Sequence, residues 1–395
     1  MKRIEIIVIL LAAVFLEAKA SGNDGLWAEI LNNNPELQAA RSARDGEAEA
    51  LKGENNLADP EVELEYMFTR NPGRSLELTA TQEFDWPGIY KARKEQTTHL
   101  ISAMDYLFRE KEQEILLQAR TAVADIRWLD KRILLRRQLR DRNRELLRGY
   151  RLGTKEGEFT ILDINKLKVA IADIEAELSD LETQRSVAFS GLVLLNGGKV
   201  LADTSSLSSA GEGVLLPLET YSVGYRSSNP GYLAAVQQSL AASRSMDVAK
   251  MSRLPKFTLG YKFQREEGEK ASGFIVGVSI PIFSGRHKAK SAYFRSESAR
   301  VAATGRQLEG EVRLQSAYKS VLALDKTIDV YRESVEDPRN KAVLEQALNG
   351  GQMTLLNYLT ELNYLTEASD RLYEMEHRRS IGLATLEVLS GNSSR

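Results

Sequence analysis

The sequence contains no cysteine among its 395 residues. This absence excludes disulfide bonds, thiolate catalysis, cysteine-ligated metal sites and a lipid anchor on an N-terminal cysteine. Histidine is almost as scarce: His99, His287 and His377 are far apart, and none has a second histidine three or four residues away, as a metal site on a helix would need. We therefore expect no metal and no other cofactor.

Charge of one sign and catalytic motifs are also missing. The formal net charge is −2, which does not favour a nucleic-acid partner. The sequence has no P-loop, no GxGxxG and no nucleophile elbow. Acidic pairs such as Glu112 with Glu114 and Glu175 with Glu177 are typical of the charged faces of helices rather than of acid–base catalysis. The sequence therefore argues against an enzyme.

Long apolar runs are absent except at the N-terminus. Met1, Lys2 and Arg3 form a basic start, residues 6–16 are all apolar, and Ala18-Lys19-Ala20 has the small-x-small form of a cleavage site. We predict a secretory signal peptide at 1–20. No later run reaches the about 18 apolar residues of a membrane-spanning helix. A mature chain that crosses a membrane would have to use strands.

Glycine and proline are missing from Ile89 to Arg148, which predicts one helix roughly 90 Å long. The preceding residues, from Ser75, alternate partly as in a strand and end at Trp86, Pro87 and Gly88. Trp86 is suited either to a membrane boundary or to packing at this strand–helix junction. A second strand, ending at Pro281 and Gly285, leads into another long helical stretch.

The same order of features occurs twice in the chain. Pro35 and Pro230, Pro60 and Pro255, and Tyr66 and Tyr261 are each 195 residues apart. We infer a tandem duplication in which each repeat contains a helix, a β-hairpin, a long helix, a turn and a return helix. The predicted parts are a first repeat at 21–198 (hairpin 61–86, coiled-coil hairpin 89–195), a linker at 199–220, and a second repeat at 221–395 (hairpin 256–283, coiled-coil hairpin 286–390).

The return helix of the first repeat has a heptad seam of apolar residues spaced by three and four: Ile164, Leu167, Ile171, Ile174, Leu178 and Leu181. The outgoing helix has matching residues spaced by seven: Ile115, Ala122 and Leu129, and Ala119, Ile126 and Ile133. We expect the turn between these helices at 149–157. In the second repeat, Gly305, Gly310 and Pro338 predict interruptions of the outgoing helix. Two hairpins supply only four strands, too few to close a barrel, so other subunits must complete it.

In this ordered set of features the chain resembles the TolC-type outer-membrane efflux factors. The resemblance includes the Asn-Pro helix openings at 34 and 229, the two strand ends, and a tip motif in which a glycine precedes an acidic residue by six. It implies a mainly α homotrimer with a 12-strand outer-membrane β-barrel on a long periplasmic α-helical barrel. It also implies a periplasmic adaptor and an inner-membrane transporter as partners, with strand ends most similar to the branch that serves resistance-nodulation-division pumps.

The resemblance places the periplasmic gate at the tips of the helical hairpins. The tip motif is Gly157 to Asp163 in the first repeat and Gly351 to Asn357 in the second, so a charge of the family is missing at Asn357. Lys166 follows Asp163 by one turn, as in an ordinary surface pair. Glu361 has the position of Leu167 in the duplicated pattern, which predicts either a carboxylate in the helix seam or one lining a wet tunnel.

Two other functions remain open from the sequence. A type I protein-secretion channel would share the same architecture. A soluble periplasmic adaptor or scaffold would also contain coiled-coil hairpins, although adaptors do not normally duplicate one with an alternating hairpin at its opposite end. The exported substrate does not follow from the sequence.

Overall fold

The computed structural model describes residues 22–68, 74–153, 160–201, 213–266, 269–281 and 285–391. The predicted signal peptide, Gly157 and most of the predicted linker lie outside these ranges. The first half contains α1 (Gly22–Asn33), α2 (Pro35–Gly53), β1 (Glu61–Phe68), β2 (Arg74–Phe84), α3 (Pro87–Gly153) and α4 (Ile161–Leu195). The second half contains α5 (Leu218–Ser228), α6 (Pro230–Met251), β3 (Lys256–Glu266), β4 (Glu269–Ser279), α7 (Gly285–Val335), α8 (Pro338–Asn349) and α9 (Leu355–Leu389).

The predicted order of elements is confirmed in both halves, with α1 and α5 as additions. Each of these short helices ends next to an asparagine that caps the following helix. Asn34 caps α2 by accepting a hydrogen bond from the Leu37 N–H, and Asn229 caps α6 by accepting one from the Tyr232 N–H. A proline follows each asparagine at the first helical position, where no backbone donor is needed.

The four strands form one antiparallel sheet in the order β1-β2-β3-β4. The two hairpins are joined because β2 pairs with β3, from Ser75 opposite Glu266 to Phe84 opposite Phe257. The charged residues at 266–270 favour a loop within the second hairpin, but Glu266 ends β3 and Glu269 begins β4 directly opposite it. Alternation continues almost to the turn, so charge alone did not mark a loop.

The predicted long helix is confirmed and is longer than expected, since α3 has 67 residues and continues through Gly149 to Gly153. The expected start of the turn at Gly149 is therefore wrong; one glycine in a long, well-packed helix costs only about 1 kcal/mol. The predicted seam of α4 is also confirmed, because all six of its residues are buried. Ile174, Leu178 and Leu181 pack with Leu129 and Ile133 of α3 in one apolar cluster. Ile164 and Leu167 pack with Tyr150 of α3 in another.

The outgoing helix of the second repeat has one interruption, where the sequence predicts three. Helix α7 passes through Gly305 and Gly310 and ends at Val335, and Asp337 then caps α8 ahead of Pro338. Gly310 is needed for a close approach: a Cβ there would lie 1.9 Å from the Tyr225 hydroxyl. Its small size, rather than its flexibility, explains its presence. No helix among the described residues has both the length and the apolar content to cross a membrane.

Candidate functional site

One face of the sheet is apolar and largely uncovered by the rest of the chain. The register places Val62, Ala80, Tyr261 and Phe274 in one row across the four strands. Phe274 is 88% exposed, although it lies in the middle of a strand. Soluble proteins rarely expose a continuous apolar patch of this kind. The apolar side chains of this face are Val62, Leu64, Tyr66, Phe68, Leu76, Leu78, Ala80, Phe84, Phe257, Leu259, Tyr261, Phe263, Phe274, Val276 and Val278.

The opposite face of the sheet is polar and mainly acidic. Lys262 pairs with Glu77, and Lys256 pairs with Glu83 at 2.6 Å. Among the side chains that the structure describes in the sheet, the remaining acidic residues of this face have no basic partner. They are Glu61, Glu63, Glu65, Glu266 and Glu269. The sheet is therefore amphipathic: it has one face suited to hydrocarbon and one suited to water.

The strand–helix junction of the first repeat packs against the second repeat. Pro87 is the first residue of α3, and the Trp86 ring lies 6.0 Å from the Phe257 ring while remaining 40% exposed. A Cβ on Gly88 would lie 3.3 Å from the Met251 sulfur, so glycine allows α3 to begin close to the end of α6. Trp86 thus combines ring packing with an exposed edge at the boundary between sheet and helices.

Polar contacts fix the direction in which α3 leaves the sheet. The Asp85 N–H donates to the Tyr90 hydroxyl at 2.8 Å, and the Asp85 carboxylate pairs with Arg93 at 2.8 Å. In the second repeat, Pro281 follows β4 and Gly285 begins α7. The residues between them lie outside the described ranges.

At the opposite end of the helices, Asp163 has a structural role that its sequence motif did not reveal. Thr160 and Asp163 form a capping box at the start of α4. The Thr160 hydroxyl donates to the Asp163 carboxylate at 2.6 Å, and Lys166 lies 3.6 Å from the same group. The hydrogen bond from Thr160, followed by the charge of Lys166, lowers the pKa of Asp163. The carboxylate therefore stays ionised in a position that stabilises the helix start.

In the second tip, Gly351 follows α8 with a φ of +66°, a conformation that side chains rarely adopt. The Gln352 N–H donates to the Ala347 carbonyl and the Gly351 N–H to the Leu348 carbonyl, which together make a Schellman motif. Asn357 is the third residue of α9, in its first turn, and donates its N–H to the hydroxyl oxygen of the capping residue Thr354 at 3.3 Å. The glycine of this tip motif therefore ends one helix three residues before the cap of the next.

Glu361 is exposed on α9 and does not lie in the helix seam. The seam alternative is therefore wrong. The buried side of α4 includes Ile164 and Leu167, three residues apart, whereas that of α9 includes Tyr358 and Leu362, four residues apart. This change of spacing turns Glu361 away from the packed side.

A set of ion pairs joins α3 and α9, and the sequence did not predict it. Arg136 is 8% exposed and donates to Glu177 of α4 and to Asp370 of α9. Further pairs join the same two helices: Arg120 with Glu387, Lys131 with Glu376 at 2.7 Å, and Arg132 with Asp370 at 3.3 Å. Between Asp370 and Glu387, the boundary between the repeats is therefore ionic. Arg136 lies one heptad after Leu129, in line with the predicted stripe of Ile115, Ala122 and Leu129. Because it is charged, a pattern of apolar residues alone ends at Leu129 and misses it.

His377 belongs to this boundary and has a structural environment. Its Nε2 lies 2.6 Å from Asp125, and its ring stacks on Trp128 at 5.0 Å. Burial alone would raise the pKa of the nearby Glu376, but hydrogen bonds from Lys131 and Arg332 outweigh burial and lower it. Within the described residues no group of three or more potential metal ligands is present.

Two helices have a second apolar stripe that faces away from the chain. On α4, the stripe lies opposite the buried seam and contains Leu162, Val169, Val187 and Leu194, each at least 60% exposed. On α7, the stripe lies opposite the buried Leu314, Val321 and Ile328 and contains Phe294, Val301, Leu308 and Val312. A single chain leaves both stripes in contact with water.

The fold of the chain is similar to that of solved structures of membrane proteins. A membrane protein from Pseudomonas aeruginosa is 18% identical, with a TM-score of 0.77 over 93% of this chain and 91% of that chain. The outer-membrane protein VceC from Vibrio cholerae is 17% identical, with a TM-score of 0.74 over 93% of this chain and 95% of that one. The outer-membrane channel MtrE from Neisseria gonorrhoeae, in its open state, is 14% identical, with a TM-score of 0.77 over 94% of this chain and 89% of that one.

No protein-family model matches the sequence, and no curated protein matches it. The likeness is therefore one of fold, present along nearly the whole length of both chains in each comparison.

Proposed function

We propose that this protein, whose fold is that of the TolC-type outer-membrane channels, is the exit duct of a tripartite efflux system. The observation that carries the proposal is the amphipathic sheet at one end of the long helical hairpins. Its exposed apolar face suits lipid, and its acidic face suits a water-filled lumen. The duct conducts passively and performs no chemistry, so energy comes from an inner-membrane transporter through a periplasmic adaptor.

We propose a homotrimer, which the two open edges of the sheet support. β1 and β4 each have an unpaired side, and three copies of the four-stranded sheet give twelve strands with no edge left open. The outward stripes of α4 and α7 supply the matching contact between copies along the helices. We propose that this assembly lies in the outer membrane, with the helices forming a tunnel in the periplasm.

The tips of the helical hairpins are the proposed gate. Three copies of Glu361, with Asn357 about one turn away, would face one axis. Asp163, Lys166 and Gly351 maintain the shape of the hairpin ends, through the capping box and the Schellman motif. Carboxylates converging on a narrow lumen attract cations and repel each other, which suits a gate that favours cations.

The natural absence of cysteine provides a direct test of orientation. Single cysteines replace Gly268, between β3 and β4, or Gln352, at the tip. We expect a membrane-impermeant thiol reagent to label position 268 in whole cells and position 352 only after the outer membrane is opened. The unsubstituted protein is the control, because it has no thiol.

The reverse labelling pattern would reject the proposed orientation. Removal of the protein from membranes by a carbonate wash would reject the duct itself and would favour the soluble adaptor. Fractionation should instead leave the protein with the outer membrane.

A further inference from the structure

The apolar face of the sheet has charged residues at one end only, next to the turn between β3 and β4. Arg265 and Lys270 are direct partners across the two strands, and both are exposed. They are the only charged residues whose side chains the structure describes on this face. The same row includes Leu76 and Tyr66, which lie beyond Arg265 on β2 and β1.

The charges at this level are sorted by face. Glu266 and Glu269 lie one residue nearer the turn on each strand. They are also direct partners, but they belong to the acidic face. Each cross-strand pair therefore joins like charges, which destabilises a hairpin unless something outside the sheet compensates. Water can solvate the two glutamates on the lumen face. The two bases face the surroundings of the apolar face instead, and no ion pair is present for either within the described residues.

A neighbouring copy would not supply the missing anion. In the proposed trimer, β4 pairs with β1 of the next chain, and the corresponding face of β1 presents Val62, Leu64, Tyr66 and Phe68. All of its glutamates point to the other face. Among the described residues, neither this chain nor the proposed neighbour places an anion on this face, so the membrane surface is the source that fits best.

The position of the basic pair along the sheet fits the membrane surface. Phe257 and Arg265 lie on the same face of β3, eight residues apart, which corresponds to about 27 Å along the strand. Because strands of a barrel are tilted, this length corresponds to a height close to that of the apolar band of an outer-membrane barrel, which is about 25 Å. The pair lies at the far edge of that band, where hydrocarbon gives way to headgroups.

We propose that Arg265 and Lys270 form a binding site for phosphate-bearing lipid headgroups at the outer surface of the membrane. This inference rests on the proposed function, because it requires the apolar face to be embedded in lipid. The guanidinium group binds two phosphate oxygens at once, and the ammonium group adds a second positive charge opposite it. Tyr66, with its ring edge against Phe68 at 4.8 Å, provides an amphipathic side chain in the same row.

The test measures binding of lipid A, which carries phosphate groups, to the purified protein in detergent micelles by native mass spectrometry. We expect the double variant Arg265→Gln/Lys270→Gln to bind lipid A about thirtyfold more weakly, the factor given by about 1 kcal/mol per basic residue near an anionic surface. Dephosphorylated lipid A should bind the unsubstituted protein and the double variant equally weakly.

The matched control is Lys262→Gln, which removes the same charge from the other face of β3. It should retain full affinity, as should the charge-conserving exchange Arg265→Lys/Lys270→Arg. Equal affinity of the double variant and the unsubstituted protein would overturn the proposal, and so would an equal loss in Lys262→Gln. Displacement of lipid A by an equal concentration of inorganic phosphate would also overturn it, since it would indicate a site for free anions.

Conductance in planar bilayers separates this inference from the proposed function. Failure of the unsubstituted protein to insert and conduct would contradict the duct. Normal conductance together with unchanged binding of lipid A in the double variant would contradict the lipid site alone.

Discussion

Asn34 and Asn229 each connect the beginning of one helix to the end of another. Besides capping α2, the Asn34 amide donates to the Leu195 carbonyl at the end of α4, at 2.9 Å. The Asn229 amide donates in the same way to the Leu389 carbonyl at the end of α9, at 3.0 Å. Both asparagines are buried, so each repeat is closed by one side chain that satisfies two helix ends.

We expect Asn34→Ala to destabilise the protein by about 1–3 kcal/mol, since it removes the cap and leaves the partly buried Leu195 carbonyl without this donor. The measurement is the shift of the denaturant midpoint of the purified protein. Gln38→Ala, an exposed polar residue in the same helix, is the control and should change the stability by less than about 0.5 kcal/mol. Similar shifts in the two variants would show that the Asn34 hydrogen bonds contribute little.

Asp163 gives the first turn of α4 a dependence on pH. Its pKa is lowered from the ordinary 3.8 in the folded protein. A carboxylate whose pKa is lower in the folded protein stabilises the fold fully at pH values above its pKa in the unfolded chain. This contribution is lost as the pH falls through its pKa in the folded protein. We expect the backbone amides of this turn to lose protection from hydrogen exchange below pH 3.8. In the variant Asp163→Asn they should already be unprotected at neutral pH. Hydrogen exchange of peptides from the start of α4, corrected for the intrinsic rate at each pH, measures this. Protection that does not depend on Asp163 at either pH would contradict the role of the capping box.

At the scale of elements, the helices have two kinds of boundary. The buried side of α4 packs on α3 through apolar residues, and Leu314 and Val321 of α7 do the same against α9. Between α3 and α9 the middle of the boundary is instead joined by ion pairs around Arg136 and Asp370. Buried ion pairs contribute less to stability than apolar packing, but removing one partner is costly.

We expect Arg136→Met to lower the stability by about 1–3 kcal/mol, because Glu177 loses this partner and Asp370 keeps only Arg132. The double variant Arg136→Met/Asp370→Leu should recover much of that loss. Arg137→Met is the control: its pair with Glu182 is half exposed on both sides and should contribute less than about 1 kcal/mol. Thermal unfolding compares five proteins: the unsubstituted protein, Arg136→Met, Asp370→Leu, their double variant and Arg137→Met. A double variant as unstable as the sum of its single changes would show that the two residues are not coupled.

The elements predicted best from the sequence are those in which one physical rule dominates. Apolar residues spaced by three and four predicted the seam of α4, and Asn-Pro predicted the starts of α2 and α6. Helices α1 and α5 were missed because each is short and lies beside a region without a clear period. The predicted helix interruption at Gly310 was wrong because a glycine can be present either for its flexibility or for its small size. Here the Tyr225 ring needs the space that a side chain would fill. The ionic boundary at Arg136 was missed because charges in one helix do not reveal their partners in a distant one.

At the scale of the whole molecule, assembly should depend on the outward stripe of α4. We expect Val169→Lys to weaken association of the copies at least about tenfold, because it replaces an apolar side chain in the proposed contact by a charge. The helix content should stay unchanged, since Val169 does not pack within the chain. Light scattering in detergent measures the size, and Lys168→Glu, exposed next to the stripe, is the control. A trimer that survives Val169→Lys would place the contact elsewhere.

The proposed gate predicts charge selectivity. We expect Glu361→Gln to shift the reversal potential in a salt gradient towards zero, and Asn357→Asp to shift it away from zero, because they remove and add a carboxylate near the axis. Glu367→Gln, another exposed position on α9, is the control for a general change of charge. Unchanged reversal potentials in Glu361→Gln would mean that the selectivity arises elsewhere, for instance at the acidic face of the sheet.

The ionic boundary between α3 and α9 also bears on how the ring of helices responds to salt. Within one chain the two repeats are tethered, so their effective concentration is high and their boundary needs little affinity of its own. Between separate chains no tether exists, and apolar stripes must provide the association. In the proposed trimer, six boundaries separate one repeat from the next, and three ionic ones within the chains would alternate with three apolar ones between the chains. Added salt screens the first kind and strengthens the second, so ionic strength would loosen each chain internally while the chains remain together.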